Sequence, residues 1–298
     1  MSDWLDAVLD TQVDGVPLRV AHGVSAGAVH AARALGHAET RRRAGDLVRM
    51  ALCAEFRREP LRRDDLARAV LGRDGTRAFP VVLAHAQLIL RDTFGMELVD
   101  ARARGGSDER TSKRPRVEPR RAFILRSVLP ARVAAAIAPP DGPLTWAPSD
   151  GGAQMGLLFL VLSVVLLSGR QCAGDRVRAA LAALGLARDC ALPAALQPLG
   201  VDAGAALSAT QTRGRGDPLD LDAFLALLHR QGYLESVRVP SGDAAPRLEW
   251  RWGARADAEI GERAVGAFIE RLYRPSKVEA DDPALARRIE RAAGSALG

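Results

Sequence analysis

Between Glu39 and Arg58, Leu47, Val48, Ala51, Leu52 and Phe56 fall on one side of a helix whose other side carries Arg42, Asp46 and Arg49, and Pro60 ends it. A second helix follows in RRDDLARAVLG, with Leu66, Val70 and Leu71 as its apolar stripe and Gly72 as its stop. The third begins after Arg77 and runs through VVLAHAQLILRDTFG to Gly95, with Pro80 in its first turn, where a missing N–H leaves no bond unmade. MELVD and AFILRS then read as two short strands. Three helices followed by a two-stranded ribbon is the order of a winged helix.

The same order recurs downstream. Residues 151–169 contain MGLLFLVLSVVLL, Met155 to Leu167, apolar on all sides and with Gly156 and Ser163 inside it. At thirteen residues it is short of the ~20 that a bilayer requires. It therefore reads as a buried core helix rather than a membrane span. DRVRAALAALGL gives a second helix with Val177, Leu181 and Leu184 on one face, and an Ala-, Pro- and Gly-rich loop fills 187–218. In LDLDAFLALLHRQ, Leu221, Phe224, Leu225 and Leu228 stand at i, i+3, i+4 and i+7, and Gly232 closes the helix. YLESVRV and RLEWRW are strand-like and joined by PSGDAAP; a last helix places Val265, Phe268, Ile269 and Leu272 on one face.

The expected fold is mainly α with small β wings (α+β), built as tandem winged-helix domains. Its expected parts are a partly disordered N-terminal arm over 1–38, either loose or one peripheral helix, with weak helical patterning around Ala26 to Leu35, a first winged-helix domain over 39–128 with an insert at 101–121, a second over 150–275, and a C-terminal tail over 276–298. A length of 298 residues agrees with two domains of about 150. With 48% hydrophobic and 26% charged residues, the composition is that of ordinary globular protein.

The net charge of +6 is unevenly spread: the insert ARARGGSDERTSKRPRVEPRR holds eight basic and three acidic residues, so the remainder is close to neutral. A high isoelectric point thus reflects one arginine-rich segment rather than a basic recognition helix. Within it, Lys113, Arg114 and Arg116 of SKRPRV are candidates for a nuclear-localisation signal, the plainer reading being a charged, solvated linker.

Catalytic chemistry has little to rest on. Cys53, Cys172 and Cys190 lack paired metal-ligand spacing, and the five histidines form no HxxxH or HExxH pair. A P-loop and a GxGxxG after a strand are absent from the sequence, and the GxSxG string at Gly23-Val24-Ser25-Ala26-Gly27 follows no strand-like apolar run, the context a nucleophile elbow requires. The expectation is a protein that is not an enzyme and has no cofactor or metal. The acidic start MSDWLDAVLD does not resemble a signal peptide, so an intracellular location is expected.

A winged helix that reads base edges presents arginine, lysine, asparagine or glutamine from its third helix. Here the first third helix, Phe79 to Arg91, is charged only at its terminal arginine, and the second, Leu219 to Gln231, carries Asp220, Asp222 and Arg230. Sequence-specific major-groove reading is not expected of either. Non-specific binding asks only for arginines along a surface. The candidates are Arg170, Arg176 and Arg178 around the start of the second helix of the second module, Arg213 and Arg215 in TRGRGD, and Arg238 on a wing strand with Arg247 and Arg251 nearby. The alternative is a solvated basic face. For a protein partner, Leu227 lies off the main apolar stripe, whereas Phe224 and Leu228 are either groove contacts or core.

Several strings, in order and with matching gaps, resemble the melanoma-antigen (MAGE) homology domain over about residues 40–275: RMALCAEFRREPLRRDDL, FGMELVD, AFILRS, GLLFLVLSVVLLSG, RQGYLE and RLEWRWGARADAEI. The most specific is Trp252-Gly253-Ala254-Arg255-Ala256, in which family members usually carry proline where this chain has Ala254. The resemblance is greatest to the single-copy eukaryotic branch that serves as a subunit of the Smc five-six chromosome complex. It implies a nuclear, chromatin-associated scaffold that pairs with a RING-type ubiquitin-ligase subunit, binds a kleisin subunit and contacts double-stranded DNA non-specifically in recombinational DNA repair. The competing readings are a winged-helix transcription regulator and a MAGE-type ubiquitin-ligase cofactor outside that complex.

Overall fold

The computed structural model describes residues 4–73, 75–101, 122–130, 132–133, 136, 152–187, 190–197, 218–241, 244–273, 283–294 and 297. The chain divides into two compact units, residues 1–134 and 135–298. Each contains a three-helix winged-helix module with a small antiparallel sheet.

In the first unit the three module helices are α4 (His37–Phe56), α5 (Arg63–Leu71) and α6 (Phe79–Ile89), the last continuing as a wider turn to Phe94. Ala44, Leu47, Val48 and Ala51 of α4 meet Leu66 and Val70 of α5 and Phe79, Val82, Leu83 and Ala86 of α6 in one core. Its floor is a three-stranded sheet ordered β3 (Leu61–Arg62), β5 (Ala122–Ser127), β4 (Met96–Asp100). Leu98 pairs with Leu125, and Leu98, Phe123 and Leu125 face the core. Gln87, buried on α6, donates to the Leu98 carbonyl (3.2 Å) and accepts from the Leu98 N–H (3.0 Å). That pair ties the third helix to the sheet.

Residues 4–35 carry more structure than the loose arm or single peripheral helix expected, and the weak patterning around 26–35 does coincide with a helix. They form α1 (Trp4–Leu9), a hairpin of β1 (Gln12–Val13) and β2 (Val16–Pro17), α2 (Leu18–Ala21) and α3 (Ala26–Leu35), whose start is capped by the Ser25 hydroxyl accepting from the Ala28 N–H. Leu5, Leu9, Leu18 and Ala32 are completely buried, in a cluster with Ala78, Val81 and Ala84 of the third-helix region. A few leucines scattered through a Gly- and Ala-rich stretch do not make a periodic stripe, yet packed on α6 they bury enough apolar surface to order the segment.

The second unit repeats the plan: α7 (Gly152–Leu167), β6 (Gln171–Ala173), α8 (Gly174–Ala182), α9 (Leu221–Gln231), then the long wing strands β7 (Leu234–Ser241) and β8 (Ala244–Trp252). The expected all-round apolar helix is α7, with Val161, Leu162, Val165 and Leu166 fully buried; the Ser163 hydroxyl donates to the Phe159 carbonyl, so its burial leaves no unmade bond. The sheet order is β6-β8-β7, with Leu234 opposite Trp252 and Ser236 opposite Trp250. Each module sheet therefore has three strands rather than the expected two; the additional strands β3 and β6 span only two and three residues. The sheet is followed by α10 (Glu262–Tyr273) and α11 (Pro283–Ala293). Ile289 and Ala293 of α11 are buried in the core of the second unit, so part of the expected C-terminal tail is a packed helix.

Candidate functional site

The Trp252–Ala256 string closes around the end of α9. Asp220 caps the start of that helix by accepting from the Ala223 N–H (2.7 Å), and Gly232 ends it in the left-handed region at φ 84°. Just beyond, the Gly253 N–H donates to the Tyr233 carbonyl and the Arg255 N–H to the Gly232 carbonyl. A Cβ on Gly253 would stand 2.2 Å from the Gly232 oxygen, so no other residue fits there. Arg255 is 0% exposed; its Nε donates to the Gln231 carbonyl (2.9 Å), it pairs with Glu259, and it lies over the Tyr233 ring. The Tyr233 hydroxyl completes the knot by donating to Glu259 Oε2 (2.7 Å). The most specific string in the sequence is thus a structural clamp. Ala254 is the first residue of the helical turn after β8, where proline would be tolerated because the N–H has no partner within the turn, so the departure leaves the turn intact.

The arginine candidates separate into distinct roles. Arg170, expected to face phosphate, instead makes a two-pronged pair with the buried Glu262 (2.6 and 2.7 Å) and donates to the Ala293 carbonyl. The Glu262 hydrogen bond, opposed by desolvation, raises the Arg170 pKa further. Its task is to hold α10 and α11 together. Arg178 donates to Asp222 at the start of α9 (2.8 Å) and pairs with Asp175, linking the second helix to the third. Arg176 and Arg238 are exposed, with no ion-pair partner among the described residues. Arg238 sits opposite Leu248, and exposed Arg247 opposite Val239 on the other face of the wing. Arg251 donates to the Gln171 side chain (2.6 Å) within a ladder that also holds Glu249. Arg213, Arg215, Lys113, Arg114 and Arg116 lie outside the described residues.

Of the partner-groove candidates, Phe224 and Leu228 are core residues, 2% and 3% exposed, and cannot reach a partner without unfolding the helix. Their i, i+4 spacing is that of the buried stripe itself. Leu227 is half-exposed beside exposed Ala226 and His229, on the side of α9 that the core does not use.

In the first unit α6 offers no open face comparable to this. Phe79, Val82, Leu83 and Ala86 face the module core while Val81 and Ala84 lie under the N-terminal segment. His85 is half-buried on the same helix with its Nδ1 lacking a hydrogen-bond partner, and burial pulls its pKa below the ordinary imidazole value. Burial lowers His22 in the same way, helped by the Arg91 charge. Phe56, which the helical stripe places in the core, is 78% exposed in the last turn of α4. Among the described residues no cluster of His, Cys, Asp and Glu could hold a metal ion, and no helix is long and apolar enough to cross a membrane.

Comparison with known proteins agrees with this architecture. A family model described as the MAGE homology domain matches residues 47–263. Human melanoma-associated antigen B17 is 26% identical over 266 residues, which is 83% of this chain and 62% of that protein, so the chain spans about three fifths of the length of its relative. A chain in the solved Nse1-Nse3-Nse4 complex has the same fold, with a TM-score of 0.58 at 18% identity, covering 86% of this chain and 99% of that one.

Proposed function

The chain belongs to the MAGE homology domain family, and from that premise we propose that it is a non-catalytic, nuclear scaffold subunit of an Smc five-six type chromosome-maintenance complex acting in recombinational DNA repair. In this reading it binds a RING-type ubiquitin-ligase subunit mainly through the first unit and a kleisin segment mainly through the second. Duplex DNA is held non-specifically through arginines of the second unit.

The observation that carries the reading is the state of the two third helices. α6 is enclosed between its own core and the N-terminal segment, and α9 opens with Asp222, whose carboxylate would repel phosphate and is engaged by Arg178. Neither presents a base-reading surface, which favours protein docking over transcriptional regulation. The fold shared with a chain of the Nse1-Nse3-Nse4 complex supports the choice of partners. Exposed Phe56 in the first unit and half-exposed Leu227 in the second are the apolar side chains we assign to these contacts. Exposed Arg176 and Arg238, with Arg213 and Arg215, are the assigned phosphate contacts; Lys113, Arg114 and Arg116 are assigned to nuclear import.

Co-expression with a RING subunit and a kleisin subunit from the same source tests the proposal. Co-purification of all three as one assembly, lost from the kleisin side alone on Leu227→Asp, is the expected result. A second reading, a ubiquitin-ligase cofactor outside the Smc complex, draws on the similarity to human melanoma-associated antigen B17. It would be favoured by capture of the RING subunit without the kleisin.

A further inference from the structure

We infer that the outer face of α11 is a docking surface for the phosphate backbone of duplex nucleic acid, an inference that rests on the DNA-contact reading above and gives it a place outside the two winged-helix modules. The helix PALARRIERAA is sharply two-sided. Ile289 and Ala293 are 3% and 2% exposed in the core of the second unit, with Leu285 packed against it. Arg287, Arg288 and Arg291 are exposed on the other side, at spacings of three and four residues that put them on one face. None of the three has an ion-pair or hydrogen-bond partner among the described residues, unlike Arg170 and Arg178. Glu290 is the single acidic residue on the helix.

The face is held in place rather than left on a tail. Arg170 joins Glu262 at the start of α10 to the carbonyl of Ala293 in the last turn of α11, and Gly294 ends the helix at φ 83°. The residue expected to touch DNA thus positions other residues that do. Four residues of helix rise by about 6 Å. With one phosphate per about 3.4 Å of axis on each strand, the three guanidinium groups can meet neighbouring phosphates of one backbone. An acidic protein segment is the less favoured ligand, because protein hot spots are built on aromatic or large apolar anchors. Among the described residues, α11 exposes no aromatic or large apolar side chain beside its arginines, only Ala284 and Ala292 with half-exposed Glu290.

The test is the salt dependence of full-length chain binding to a fluorescent duplex, for the wild type, the triple variant Arg287→Ala/Arg288→Ala/Arg291→Ala, the corresponding triple lysine variant, and Arg176→Ala/Arg238→Ala. Each phosphate contact contributes about −0.9 to the slope of log affinity against log salt. The triple alanine variant should flatten the slope by about 2 to 3, with unchanged thermal unfolding, and the triple lysine variant should restore it. An unchanged slope in the triple alanine variant, while Arg176→Ala/Arg238→Ala flattens it, overturns the α11 surface and leaves the DNA reading standing. Lysine failing to restore the slope also overturns it, as does poly-glutamate displacing the duplex at equal charge concentration. Absence of duplex binding by the wild type overturns both the surface and the reading beneath it.

Discussion

α6 and α9 occupy the same place in two modules of the same plan, yet one is enclosed and the other half open. Around α6, the module core takes Phe79, Val82, Leu83 and Ala86, and the N-terminal segment takes Val81 and Ala84. Around α9, only the stripe Leu221, Phe224, Leu225 and Leu228 is buried with Ala223, while Ala226 and His229 remain exposed and Asp222 answers Arg178. The difference arises from what flanks each module. Thirty residues of scattered leucine and alanine before the first module cover its third helix; the segments after the second wing pack on α7 instead. Neither helix presents the basic or amide side chains with which a DNA-reading winged helix reads the major groove: α6 is covered by protein, and the open side of α9 carries Ala226, Leu227 and His229.

The comparison breaks most severely where the open helix is clamped. Arg255→Ala removes a buried guanidinium from Glu259 and the Gln231 carbonyl, and should destabilise the second unit by about 3–5 kcal/mol while the first keeps its unfolding midpoint. Denaturant unfolding followed in each unit reads this, and a loss below about 1 kcal/mol would show that α9 holds without its clamp. The enclosed helix is tested next. Leu9→Ala leaves a cavity in the N-terminal cover, where the leucine is 0% exposed, and should cost the first unit about 2–5 kcal/mol. Were residues 4–35 a loose arm, that substitution would have no measurable effect.

A smaller effect is set by pH. His22 and His85 are held below their ordinary value, about 6.5, chiefly by burial. The unfolded chain therefore takes up their protons first as pH falls. The stability that comes from keeping them neutral is fully present above that value and is lost as pH drops through the lowered folded values. Thermal unfolding of the first unit should accordingly weaken from about pH 7.5 to about pH 5.5, less so in His85→Gln. A first unit whose unfolding is indifferent to pH in that interval would exclude the buried neutral state of both imidazoles. The least perturbing change is Leu227→Asp: on the unburied side of α9 it should alter stability by no more than about 0.5 kcal/mol while weakening kleisin capture. Equal capture by variant and wild type would remove Leu227 from the interface.

Much of this arrangement is legible in the sequence, and the exceptions have common physical causes. The stripes in α4 and α9 and the wing strands follow from periodicity, and α7 from its unbroken apolar run, because each element is long enough to show its pattern. β3 and β6 are too short for a period of two to show. α1 and α2 span only six and four residues, too short to repeat a helical period, α3 is patterned only weakly in alanine, and α11 has two large apolar residues, Leu285 and Ile289, to mark its core face. Phe56 continues the stripe of α4 yet emerges exposed in its last turn, since a stripe gives direction around the helix and not what packs at its end. The role of Arg170 was illegible for another reason. Its partners Glu262 and Ala293 lie 92 and 123 residues further along the chain, and an arginine next to a helix start reads equally as phosphate contact or buried latch until the fold brings those partners in. The family string, by contrast, was conspicuous in sequence, and its side-chain contacts give its reason: Gly253 and Arg255 are demanded by the close approach at the end of α9.

The scaffold reading depends most on the claim that neither third helix reads bases. Titration of the full chain with several duplexes of unrelated sequence, at matched length and salt, measures this directly. The expected result is one affinity and one salt slope for all of them, within a few-fold. A single sequence bound about a thousandfold tighter than the rest, the lower end of the range typical of specific recognition, would contradict it and return the protein to the transcription regulators.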